Sequence, residues 1–282
     1  MSESNPSPAR RGYYTKIWRE EPEADNPFAA KACYCHGYDV YGEVLHKASW
    51  IEYLYLLFQG ERPSPAQAQL LERLAIALAN PGPREASVRA AMNGGVGGSR
   101  NAASLMAALA VGAGQYGGGH EVYILLNIWQ ECGEDLDAWR HRLRNPNEHY
   151  REDIWLPIEH APGFDPNGES CPTPVQQTLA LLSSISPGTA LAWLQAQREG
   201  LERELGYPLA MSAVAAAAFH DLGLNGHQAS MLYLMLRLPG AAVHALEQRE
   251  LGWKKFPFYG DAIELTDDPG GKGLPNAEEL GL

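Results

Sequence analysis

Ser49-Trp50-Ile51-Glu52-Tyr53-Leu54-Tyr55-Leu56-Leu57-Phe58-Gln59-Gly60-Glu61-Arg62-Pro63-Ser64-Pro65 is the stretch that decides the fold class. Ser49 and Glu52 have capping-box spacing, in which a Ser hydroxyl and a Glu three residues on satisfy free amides at a helix start. Gly60 suits the left-handed residue that ends the helix. Ser64 then caps a second helix with Pro65 in its first turn. Leu70, Leu71, Leu74 and Leu78 follow at helical spacing until Asn80 and Pro81 stop it. Downstream, Thr173-Pro174 and Ser186-Pro187 each precede an apolar-periodic segment, through Leu179, Leu181 and Leu182 and through Leu191, Leu194 and Leu201. Sustained alternation with period two is nearly absent, so the expected class is all-α.

The 282 residues carry a formal charge of −12, which disfavours nucleic acid or an anionic membrane as partner. A hydrophobic share of 45% with 20% charged residues describes a chain able to bury a large core. Four cysteines without C-x-x-C spacing argue against a disulfide scaffold and fit a reducing, cytoplasmic setting. Cys33, Cys35 and His36 are poor joint ligands, so no metal site is read. Residues 1–16 lack the apolar region of a secretory signal. The apolar stretches Ala102–Ala113 and Leu209–Phe219 are about half the roughly 20 residues of a bilayer span.

Between Met92 and Gly119 the chain is rich in Gly and Ala. Glycine costs about 1 kcal/mol against alanine inside a helix, so the run needs a reason. Close helix packing is one, in the core or at a subunit interface. A phosphate-cradling loop is the other, without a Walker or dinucleotide-binding pattern behind it. Arg144–Pro172, with five prolines, reads as a long irregular connection of the kind that carries function. The chain after Leu251 reads as an extended tail.

With these elements in place, the sequence resembles the citrate synthases and citryl-CoA lyases. Ser49 to Pro63 resembles their short helix with its Gly-Glu-x-Pro turn, and His36-Gly37-Tyr38 their Arg-Gly-Tyr turn. Gly117-Gly118-Gly119-His120-Glu121 resembles their Gly-Gly-Ala-Asn-Glu helix start. Arg237-Leu238-Pro239-Gly240, with His244 and Gln248, resembles their Arg-x-x-Gly-x-x-x-His-x-x-x-Gln pattern. The matches keep one order from Tyr34 to Gly260.

The resemblance implies an all-α homodimer in which 28–124 and 206–260 form a large domain, 125–205 a small one, and 1–27 and 261–282 extended termini. It implies a two-fold interface along Gly94 to Gly119. It also implies binding of a small carboxylate or acyl-CoA, with a coenzyme A thioester as substrate and no further cofactor. The resemblance implies that the family acid–base groups do not carry over: Tyr116 stands where citrate synthases have one His, Pro81 and Pro166 fall where relatives have two others, and Ser212 where they have Asp. No His is expected near Gly163-Phe164-Asp165-Pro166.

Tyr116 and His120 are the catalytic candidates, a phenol donor and an imidazole at a helix start. Glu121 reads as either a complement to the helix dipole or a general base. The resemblance also implies Arg237, Lys255 and Arg89 as substrate-binding candidates, Arg237 at the position where relatives pair a substrate carboxylate, which a guanidinium can hold bidentately. Together with the amides ahead of His120 they predict a cationic pocket. Two functions follow: an enzyme that forms or cleaves a C–C bond at a remodelled site, or a dimeric binding module without catalysis.

Overall fold

The computed structural model describes residues 14–146 and 157–256. Both helix starts read from the opening stretch are present. In α2 (Trp50–Gln59), Ser49 Oγ accepts from the Glu52 amide, and the Glu52 carboxylate accepts from the Ser49 amide at 2.7 Å. Gly60, at φ 81°, ends the helix. In α3 (Pro65–Leu78), Ser64 and Gln67 form the same box, and the four leucines at helical spacing are fully buried.

Between Arg19 and Lys47 the chain departs from the all-helical expectation. Strands β1 (Arg19–Pro22), β2 (Ala30–Cys35) and β3 (Tyr38–Asp39) form an antiparallel sheet in the order β1-β2-β3. Part of the segment expected as an extended terminus is therefore paired. Strands of two to six residues with a largely exposed face leave too short an alternation to read. A π-helical turn (Val40–Val44) and the short α1 (Leu45–Lys47) lead into α2.

The remaining helices are α4 (Ala86–Val96), α5 (Asn101–Gly112), α6 (Gly119–Cys132), α7 (Leu136–Arg144), α8 (Thr173–Ile185), α9 (Ala190–Leu205), α10 (Met211–Asp221) and α11 (Gly226–Leu251). Ser186 does not cap α9, which starts at Ala190. Asp221, at the end of α10, accepts from the Ala190 and Leu191 amides and from the Ser186 hydroxyl at 2.6–3.2 Å. This distant carboxylate takes over the capping role. Thr173 likewise lies inside α8 and makes no capping bond.

One apolar cluster runs from α2 and α3 through α6 to α10 and into α11, and a smaller one joins α4, α5 and α11. The glycine run serves this second cluster. A Cβ at Gly95 would collide with the Ala245 carbonyl on α11, one at Gly94 with Ser104 on α5, and one at Gly112 with Ser87 on α4. Those glycines therefore pack helices within the chain. By length and composition α11 is long and apolar enough to cross a membrane, although its polar residues interrupt any shorter apolar run. Here it packs against α4, α5 and α6 and buries Arg237.

Candidate active site

The starts of α4, α6, α8 and α10 converge with the segment after Pro157 and the middle of α11 around a cavity of about 580 Å³. Tyr116, Pro81, Pro166 and Ser212, the positions at which the resemblance implies a lost acid or base, all line it, and of these Pro81, Pro166 and Ser212 carry no group that titrates near neutral pH. The other titratable groups of the cavity come from elsewhere.

Glu121 is 2% exposed and accepts on both oxygens. Its Oε1 takes His160 Nε2 at 2.8 Å and the Gly163 amide at 2.9 Å, and its Oε2 takes the Gly117 amide at 2.9 Å. The two backbone amides, one on each oxygen, match an ionised carboxylate, and against it His160 Nε2 is assigned as the donor. In the neutral ring Nδ1 is then the acceptor, and it has no hydrogen-bond partner. Only glycine fits at Gly163, which has φ +83° and whose Cβ would stand 2.8 Å from that of Ala213. The Tyr116 ring stacks on His160 with centroids 4.9 Å apart. Its hydroxyl donates to Glu159 at 2.9 Å, and that bond pushes the phenol pKa up.

Across the cavity, Arg237 is 6% exposed and lies over the Tyr233 ring. Nη1 donates to the Gly117 carbonyl at 2.9 Å, and Nη2 meets Glu85 Oε1 at 2.6 Å. Tyr233 donates to the same carbonyl at 2.8 Å, and burial pushes its pKa up to about 12. Glu85 also caps α4 through the Ser87 and Val88 amides. The guanidinium thus already holds a carboxylate. Among the described residues, Glu85, Glu121 and Asp165 line the cavity against one guanidinium, that of Arg237, which corrects the expectation of a cationic pocket.

Of the candidates read from the sequence, Tyr116 and Arg237 face the cavity, whereas His120, Arg89 and Lys255 are not among its lining residues. Successive helical residues point about 100° apart, so Glu121 turns inward and its neighbour turns away. The His120 ring stacks near Tyr123, and burial lowers its pKa. Lys255 is exposed on a short 3₁₀ turn (Trp253–Lys255) after α11, and Arg89 lies on α4. At this helix start the Gly117 amide donates to Glu121 and the His120 amide to the Ala113 carbonyl. His244 has a structural role, bonding Asn80 Oδ1 at 3.1 Å.

His160, Glu85 and Tyr233 were not foreseen. His160 stands three residues before Gly163, close to where no His was expected. The available signal was the Pro-rich irregular segment itself.

No family model and no curated protein matches the sequence. Among solved structures, the chain is similar to citryl-CoA lyase from Hydrogenobacter thermophilus, with 18% identity and a TM-score of 0.68 over 96% of this chain and 100% of that one. It is also similar to Methanosaeta concilii ATP citrate lyase in complex with (3S)-citryl-CoA, with 15% identity and a TM-score of 0.69. That match covers 99% of this chain but only 44% of the other. Citrate synthase from Thermoplasma acidophilum, in a ternary complex with carboxymethyl coenzyme A and oxaloacetate, gives 16% identity and a TM-score of 0.54 over 82% of this chain and 60% of that one. The likeness is one of fold.

Proposed function

We propose that this chain, built on the fold shared by citryl-CoA lyases and citrate synthases, cleaves a carbon–carbon bond beside a thioester in a carboxylate-bearing acyl-CoA. The observation that carries the reading is the buried His160 imidazole. Glu121 fixes its tautomer, its Nδ1 has no partner among the described residues, and His160 lines the cavity that also holds Arg237. A base so placed removes the proton of a substrate hydroxyl, and the adjacent C–C bond breaks with its electron pair passing to the thioester enolate. His160 then returns the proton to the enolate carbon. The products are an acyl-CoA and a keto acid, and no thiol is released.

Arg237 holds a substrate carboxylate, sharing its N–H groups with Glu85. Segment 125–205 acts as the smaller domain, and the protein works as a cytoplasmic homodimer. The exposed apolar side chains of Met106 and Val111 on α5 and of Met231, Val243 and Leu246 on α11 supply a surface for the second copy.

One observation favours the binding module instead: Glu85 already occupies Arg237, as expected of an anion site closed to substrate. Incubation with citryl-CoA separates the two. The enzyme reading expects acetyl-CoA and oxaloacetate without free thiol, a rate at least about 100-fold lower for His160→Ala, and ligand affinity at least about tenfold lower for Arg237→Ala. Binding without turnover by the wild-type protein would establish the module, and turnover indifferent to His160→Ala would refute the role given to the imidazole.

A further inference from the structure

The start of α10 is unusual among the helix starts at this cavity. Its N-cap is Ala210, with no side chain capping it, whereas α4 is capped by Glu85. The first amides of a helix have no partner within the helix, and together with the dipole they amount to roughly half a positive charge. At α10 the Ala213 amide turns back to the Ala210 carbonyl at 3.2 Å, which leaves the amides of half-buried Met211 and buried Ser212. The helix start borders the cavity, which Ala210, Met211 and Ser212 all line.

A second observation points to a ligand. Ser212 is 1% exposed, and its Oγ has no hydrogen-bond partner. A buried hydroxyl without a partner costs stability, so its retention among Ala213 and Ala215 to Ala218 calls for another role. The His160 loop lies directly on this helix end: the Ala210 amide donates to the Gly163 carbonyl at 2.8 Å, and Gly163 packs on Ala213. Thus a hydroxyl donor and the uncapped start of α10 line the same cavity as His160.

We infer that the start of α10 is an oxyanion cradle, in which the Ser212 hydroxyl and the first amides of α10 hold the thioester carbonyl oxygen as it becomes an enolate. This rests on the lyase reading above and adds the group that stabilises its intermediate. As the C–C bond breaks, the electron pair delocalises onto the carbonyl oxygen, and fixed donors at that oxygen lower the barrier without reorganising. Three carboxylates line the cavity, so an oxygen gaining negative charge there needs donors aimed at it. A nucleophilic Ser212 would need a hydrogen bond to its base, and Ser212 Oγ and His160 Nδ1 are each unpartnered.

The test compares wild type with Ser212→Ala by calorimetry, using carboxymethyl coenzyme A, whose carboxylate stands where the enolate would form, with coenzyme A as control. The expected result is an affinity for carboxymethyl coenzyme A at least about tenfold weaker in the variant, with coenzyme A unchanged and thermal unfolding no lower than wild type. Equal affinities in the two proteins overturn the cradle. If neither coenzyme A compound binds the wild type, the acyl-CoA reading fails and the cradle falls with it, an outcome distinct from equal binding by the two proteins, which overturns the cradle alone.

Discussion

Replacing Glu121 with Gln tests the centre of this site by exchanging one carboxylate oxygen for an NH₂ group. The carboxylate holds His160 Nε2 and the Gly163 amide on one oxygen and the Gly117 amide on the other, at 2.8–2.9 Å. Glutamine keeps one oxygen, which satisfies the first pair as neutral bonds. Its NH₂ then faces the Gly117 N–H, donor against donor. A hydrogen bond to a charged group contributes about 1.5–3 kcal/mol, and an orphaned buried donor costs about 1–3 kcal/mol. Relief of the buried charge offsets part of this. The expected loss is about 3 kcal/mol, a large share of a total stability of about 5–15 kcal/mol. Urea unfolding of wild type, Glu121→Gln, His160→Ala and the double variant measures it. The coupling between the two sites should exceed about 1.5 kcal/mol, since removing the imidazole already removes one partner. A Glu121→Gln protein within about 0.5 kcal/mol of wild type would refute the idea that this carboxylate organises the site.

Gly95→Ala should destabilise by about 1–3 kcal/mol in the same assay, because the added methyl meets the Ala245 backbone and α4 and α11 must separate. Glu85→Gln removes the internal carboxylate from Arg237, so affinity for citrate should rise on the order of tenfold in calorimetry; unchanged affinity would mean that the pairing does not compete with ligand. Stability should fall as the solution is acidified. Burial lowers the pKa of His120 and of His220 below the ordinary 6.5, the nearby Asp221 only partly opposing this at His220. The unfolded chain then binds more protons than the folded one, so the stability these groups contribute is complete above about pH 6.5 and is lost as pH falls from there through the folded pKa values. Thermal unfolding at pH 7.5 and 5.5 checks the sign, and His220→Gln should flatten the dependence.

Local chemistry was legible in the sequence. The capping boxes at Ser49 and Ser64, the leucine spacing of α3 and the turn at Gly60 involve partners within four residues, so each is written in one short stretch. The ordered motifs from His36 to Gln248 resembled the fold family that the structure then matched, and Arg237 was placed at the cavity. The three short strands escaped because two to six residues cannot display a period. The tertiary structure alone decided the rest. α9 starts where Asp221 reaches it, about thirty residues along the chain, and not at Ser186. Arg237 meets Glu85 from a distant helix, which changes a cationic pocket into an acidic one. Of the adjacent pair His120 and Glu121, the inward residue is set by the surfaces against which α6 packs, and its imidazole partner comes from the far side of α7. Such pairings depend on where helices cross, and a crossing is fixed by packing between segments that no local pattern connects.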